Sequence, residues 1–101
     1  MEVTTPRRRR VDGDCPYCGR QLPLTFHHLI PKKMHRRTRY RRLYKRTELA
    51  RGIYLCRDCH NGIHNTYSEL ELAQHFADPM ALARDETLAR HFHWLSRQQR
   101  R

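Results

Sequence analysis

At 101 residues with only 38% of them apolar, the chain has room for one small domain with a thin core, since a chain of this size hides little more than about 60% of the surface it exposes unfolded. Its 21 Lys and Arg against 10 Asp and Glu give a formal charge of +11, which points to a polyanionic partner, nucleic acid first. No run nears the roughly 20 apolar residues that span a bilayer, and the start of the chain lacks the apolar stretch of a secretory signal, so the expectation is a soluble, cytoplasmic protein with no membrane contact.

Residues 1–13 carry Arg7-Arg8-Arg9-Arg10 without any apolar period and read as a flexible basic arm. Cys15-Pro16-Tyr17-Cys18 follows, a C-x-x-C hook whose backbone must turn tightly to aim two sulfurs at one ion, with Gly19 easing the turn. A short strand is expected from Gln21 to His27-His28, with Leu22, Leu24, Phe26 and His28 on one face; Pro23 cannot donate to a ladder and predicts an edge strand. Neighbouring strand residues point to opposite faces. If His27 and His28 are both functional, the backbone must bend there, or one of the two is structural.

Residues 32–46 form a basic insert, nine cations in fifteen positions: Lys32, Lys33, Arg36, Arg37, Arg39, Arg41, Arg42, Lys45 and Arg46. So dense a cluster repels itself and is best explained by phosphate neutralisation. Tyr40, Leu43 and Tyr44 fall at helical spacing within it and predict a short helix. Ile53-Tyr54-Leu55 reads as a second strand leading into Cys56-Arg57-Asp58-Cys59, and Asp58 is the expected cap of a helix over Cys59 to Asn65. On that helix His60 and His64 share one face.

From residue 66 the pattern becomes helical to the end. Thr66-x-x-Glu69 spells a capping box before Leu70, Leu72, Ala73 and Phe76. Asp78-Pro79 restarts a helix, and a last one from about Glu86 carries Leu88, Phe92 and Leu95 on one stripe. Residues 66–101 are expected to brace a core of residues 14–65, with His75, His91 and His93 in packing or surface roles.

The two hooks together carry four thiols. In a chain without a secretory segment this favours a tetrathiolate site over two disulfides, and four thiolates around one ion make a closed, structural Zn²⁺ site. Held together by that site, the strand ending at His27-His28 is brought opposite the His60 and His64 face.

These segments resemble the HNH endonucleases of the ββα-metal, or His-Me finger, fold, in the subgroup with zinc hooks. The resemblance runs through Cys15-Pro16-Tyr17-Cys18, Phe26-His27-His28-Leu29-Ile30-Pro31 and Leu55-Cys56-Arg57-Asp58-Cys59-His60-Asn61-Gly62-Ile63-His64. It implies a small α+β fold: a ββα-metal core stapled by Cys15, Cys18, Cys56 and Cys59, with a C-terminal helical extension. It also implies His28 as general base and His27, His60 and His64 as ligands of a catalytic divalent metal. The family's middle Asn falls on Arg51, whose role stays open.

Three imidazoles suit Mn²⁺, Ni²⁺, Co²⁺ or Zn²⁺ better than Mg²⁺. The function so implied is metal-dependent hydrolysis of DNA phosphodiesters, nicking duplexes with low sequence specificity because phosphate contacts carry no sequence information. A non-catalytic zinc module that binds nucleic acid, and an RNA-directed nuclease of the same fold, are the alternatives.

Overall fold

Val11–Asp14 (β1) and Gln21–His28 (β2) pair antiparallel, with Val11 opposite Leu24 and Asp14 opposite Gln21. The first cysteine hook is the tip of this hairpin. Its backbone closes as the Gly19 N–H donates to the Cys15 carbonyl at 2.8 Å and the Cys15 N–H to the Arg20 carbonyl at 2.9 Å. Gly19 has φ +77°, left-handed backbone that a side chain would strain. This computed structural model describes residues 11–98. The expected basic arm, Arg7 to Arg10 included, lies outside the described residues, and its last expected positions, Val11 to Gly13, belong to β1.

Gly52–Cys56 (β3) pairs with the other edge of β2, Leu24 opposite Cys56 and His28 opposite Gly52, so the sheet order is β1-β2-β3. Strand β2 is therefore central, where Pro23 had predicted an edge. Pairing with β3 stops at Leu24, however, so at Pro23 only β1 is alongside. The missing donor is tolerated because the ladder is one-sided there.

Strand β3 runs straight into Arg57–Thr66 (α3). The helix is capped by Cys56, whose Sγ accepts from the Cys59 N–H at 3.4 Å, and not by Asp58. A thiolate can do what an Asp carboxylate does at a helix start, taking up an orphan donor and meeting the positive end of the dipole. Asp58 sits in the first turn and pairs with Arg20 at 3.2 Å.

Between β2 and β3 the basic insert folds as a 3-10 turn over Lys32–Met34, then Thr38–Leu43 (α1) and Arg46–Leu49 (α2). It has a small core of its own in which Ile30, Met34, Tyr40 and Leu49 meet Ala73. Of the expected stripe, Tyr40 is buried and Tyr44 packs against it, but Leu43 is exposed.

Three helices follow: Glu69–His75 (α4), Pro79–Arg84 (α5) and Glu86–Ser96 (α6). The capping box of α4 is Ser68 with Glu71, two residues later than expected. The Thr66 hydroxyl instead donates to the Gly62 carbonyl at 2.7 Å inside α3. Leu72 and Ala73 are buried whereas Leu70 faces solvent. Asp78 caps α5 as predicted, with Pro79 in the first turn. Leu88, Phe92 and Leu95 join the main core, where the hook cysteines, Ile53, Leu55 and Ile63 also lie. Tyr17, between the first two cysteines, stacks on Phe92 at 4.5 Å and donates its hydroxyl to the Pro79 carbonyl at 3.0 Å. The cysteine hook and the last two helices are thus one packed unit. No helix among the described residues is long and apolar enough to cross a membrane.

Candidate metal centres and basic cleft

Cys15 and Cys18 come from the β1–β2 tip, and Cys56 and Cys59 from the β3–α3 junction. All four are buried, with ligand atoms within 4.8 Å of one another. The Cys15–Cys59 and Cys18–Cys56 sulfurs are 3.7 Å apart. That is far too long for a disulfide, and it matches the edge of about 3.8 Å expected for a tetrahedron with Zn–S bonds of about 2.3 Å. The cluster fits a structural zinc site.

Arg20 lies over it, Nε donating to Cys18 Sγ at 3.3 Å and Nη2 reaching Cys56 Sγ at 3.7 Å. Four thiolates on a dication would leave two negative charges, and this guanidinium would offset part of them. The interaction with Cys18 in turn raises the Arg20 pKa further.

A second cluster lies on the opposite side of α3 from α6. His27, His60 and His64 each offer a ring nitrogen within 4.8 Å of the others, and ring centroids are 4.9 to 5.3 Å apart. His27 is 0% exposed, and neither of its ring nitrogens has a hydrogen-bond partner. Two orphaned polar atoms in the interior are costly unless something fills the position, and a metal ion ligated by one of them answers for that one. Burial, followed by the neighbouring His60, His64 and His28, pushes the His27 pKa down to about 3. Burial and His64 push that of His60 to about 4. Burial also lowers His64, against the pull of Glu69. Three neutral imidazoles, each with a ring nitrogen within reach of one ion, suit a borderline divalent metal.

The Nδ1 of His60 lies 2.9 Å from the Thr25 hydroxyl, which donates to the Leu55 carbonyl at 3.0 Å. Nothing had marked Thr25 beforehand except that, two positions before His27, it shares that residue's strand face.

His28 takes the other face of β2, as alternation requires, and the ladder runs on through His27 opposite Ile53 and His28 opposite Gly52, so the two rings flank the strand end without the bend expected for a shared site. Its ring stands edge-on to Phe26 at 4.9 Å and to His35 at 5.5 Å. His28 opens into a cleft of about 590 Å³ lined also by Lys32, His35, Arg36, Arg41 and Arg46. Burial, then His35 and Lys32, lower its pKa. His35 was not anticipated. Its Nε2 is 2.7 Å from the Ile30 carbonyl, a pure acceptor, so that nitrogen carries the ring proton.

The insert's cations divide by position. Lys33 and Arg37 line a second pocket, of about 420 Å³, with His64 and Glu69, and Arg39 lines a third with Tyr40 and Leu43. Arg42 and Lys45 are exposed. The Arg51 side chain is turned to solvent, and its backbone carbonyl accepts from the Leu29 N–H at 3.2 Å. The loop just after His28 is therefore tied through main chain at the position where the family's Asn was sought. His75 and His93 are exposed, and His91 packs on α3.

Residues 15–66 match the family model described as HNH endonuclease. The chain is also 32% identical, over 91 residues, to the Bacillus subtilis (strain 168) protein carrying the name "Uncharacterized protein YisB", an alignment that spans 89% of this chain and 80% of that relative. No solved structure matches the chain with significance.

Proposed function

This chain belongs to the HNH endonuclease family, and from that premise we propose that it is a metal-dependent endonuclease that hydrolyses phosphodiester bonds in DNA, nicking duplexes with little sequence preference. One observation carries this reading: at a single strand end, the buried, unpartnered His27 meets His60 and His64, while its neighbour His28 opens into a cationic cleft.

Each group has a task. His27, His60 and His64 hold the catalytic ion, which when bound supplies Lewis-acid stabilisation of charge on a phosphate and its leaving oxygen. His28, neutral at physiological pH because its pKa is depressed, takes the proton from an attacking water on a ring nitrogen. Lys32, Arg36, Arg41 and Arg46 hold flanking phosphates and set the duplex across the strand end. Lys33 and Arg37 extend that track past His64. Residues 14–65 form the nuclease core, and the remaining helices brace it.

The deciding experiment is nicking of supercoiled plasmid with Mn²⁺, Ni²⁺, Co²⁺, Zn²⁺ and Mg²⁺, comparing wild type with His28→Ala. Wild type nicks best with Mn²⁺, Ni²⁺ or Co²⁺. The variant loses about 10²–10⁴-fold while still binding DNA. If both proteins are inert with every metal and on labelled RNA, the chain is not a nuclease.

A further inference from the structure

We infer that Thr25 is a positioning residue that fixes the tautomer of His60, so that His60 presents Nε2 to the catalytic ion, and that its hydroxyl ties His60 to the strand leading into Cys56. The inference rests on the reading of His27, His60 and His64 as a metal site.

A threonine hydroxyl has one proton to give and two lone pairs to offer. Thr25 and Leu55 are opposite one another across β2 and β3, and the Leu55 carbonyl, 3.0 Å from Thr25 Oγ1, can only accept, so that hydrogen bond takes the hydroxyl's one proton. Toward His60 Nδ1, at 2.9 Å, the hydroxyl therefore has only a lone pair left. That contact is a hydrogen bond only if Nδ1 carries the proton. In a neutral imidazole the second nitrogen is then bare, and Nε2 of His60 is the atom free to ligate. An orienting partner on the far nitrogen of a ligand histidine is the usual way in which ring angle and basicity are set.

The acceptor at the end of this chain has its own significance. Leu55 is buried and immediately precedes Cys56, which is both a hook thiolate and the cap of α3. His60 in turn immediately follows Cys59. The path from the hook's strand through the Thr25 hydroxyl to His60 therefore bridges β3, β2 and α3. It holds the histidine ring in register with the zinc staple by hydrogen bonds as well as by the backbone of α3.

The test uses the full chain loaded with one equivalent of zinc. Thr25→Val keeps the branched shape and the strand preference but removes the hydroxyl, and Thr25→Ser keeps the hydroxyl. Ni²⁺ binding is measured by calorimetry, and the His60 tautomer is read by long-range ¹⁵N–¹H NMR on the protein without added Ni²⁺. Thermal unfolding checks that all variants are folded.

Wild type and Thr25→Ser show the Nδ1–H form and bind Ni²⁺ tightly, whereas Thr25→Val loses the single tautomer and binds about 10–100-fold more weakly. Undiminished Ni²⁺ binding by a folded Thr25→Val, or an Nε2–H tautomer in wild type, overturns the role of Thr25 and leaves the metal site standing. Absence of Ni²⁺ binding in wild type overturns both.

Discussion

As the proposed general base, His28 must be neutral to work, and yet it is surrounded by cations. Burial, His35 and Lys32 all disfavour its protonated form. A general base acts through the unprotonated ring, so a depressed pKa keeps it competent to lower pH. The acid limb of kcat/KM is therefore expected below about 6.5, the ordinary imidazole value. Lys32→Met removes one cationic neighbour, and the limb should move up toward that value. A wild-type limb at or above it, or a limb that Lys32→Met leaves in place or lowers, contradicts this environment for the base.

At the scale of elements, two glycines set how closely the layers approach. A Cβ on Gly52 would lie 2.1 Å from the His27 carbonyl oxygen and 2.6 Å from the Phe26 ring. On Gly62 its three nearest atoms would all belong to the His91 ring, the closest at 2.3 Å. The first obstacle is backbone and the second is a side chain. Both Gly52→Ala and Gly62→Ala are expected to destabilise by about 1–3 kcal/mol in urea unfolding, the usual cost of overpacking. His91→Ala should rescue Gly62→Ala, with a further gain from helix propensity of about 0.5–1 kcal/mol. No side-chain truncation should rescue Gly52→Ala, which also displaces His27 and should lose nicking. Rescue of neither glycine variant would show that helix α6 does not rest on Gly62 through His91.

The same scale explains what could be read from the sequence. The hooks and the paired histidines were legible because metal chemistry demands particular residue types at short, fixed spacings. Asp78-Pro79 was legible because cap and first-turn proline are local. Thr66-x-x-Glu69 and Ser68-x-x-Glu71 spell the same pattern, and the choice fell to Tyr67, where extended backbone ends α3. Asp58 lost the cap to Cys56 because a sulfur was already aimed at the helix start. Pro23 on a central strand, Arg20 over the thiolates and Thr25 beside His60 depend on strand order and register, which no local stretch encodes. The separation of His27 from His28 followed from strand alternation, but the cleft on the His28 side needed the fold of the insert, whose core borrows Ala73 from a later helix.

For the whole molecule, the four-cysteine cluster and the charge make separate predictions. The hooks join the hairpin tip to the β3–α3 junction across 37 intervening residues, and Tyr17 carries the C-terminal helices on the same tip. Stripping the zinc, or Cys18→Ser, should therefore unfold the chain cooperatively, with loss of helical circular dichroism tracking release of one zinc per chain. Retention of native helicity without zinc would show that the apolar core suffices. DNA affinity should fall steeply with salt, and Arg41→Ala should reduce the slope of log K against log salt by about 1. An unchanged slope would place Arg41 off the phosphate track.

The three site histidines also differ in how much solvent they see: His27 is buried, His60 partly covered and His64 exposed. An ion held by all three would be reached from the His64 side. It would meet the His64 ring first and the His27 ring last, and departure would run in reverse. How long an ion resided and how firmly it was held would then be matters for different residues, the outer ring timing its exchange and the inner ring anchoring it.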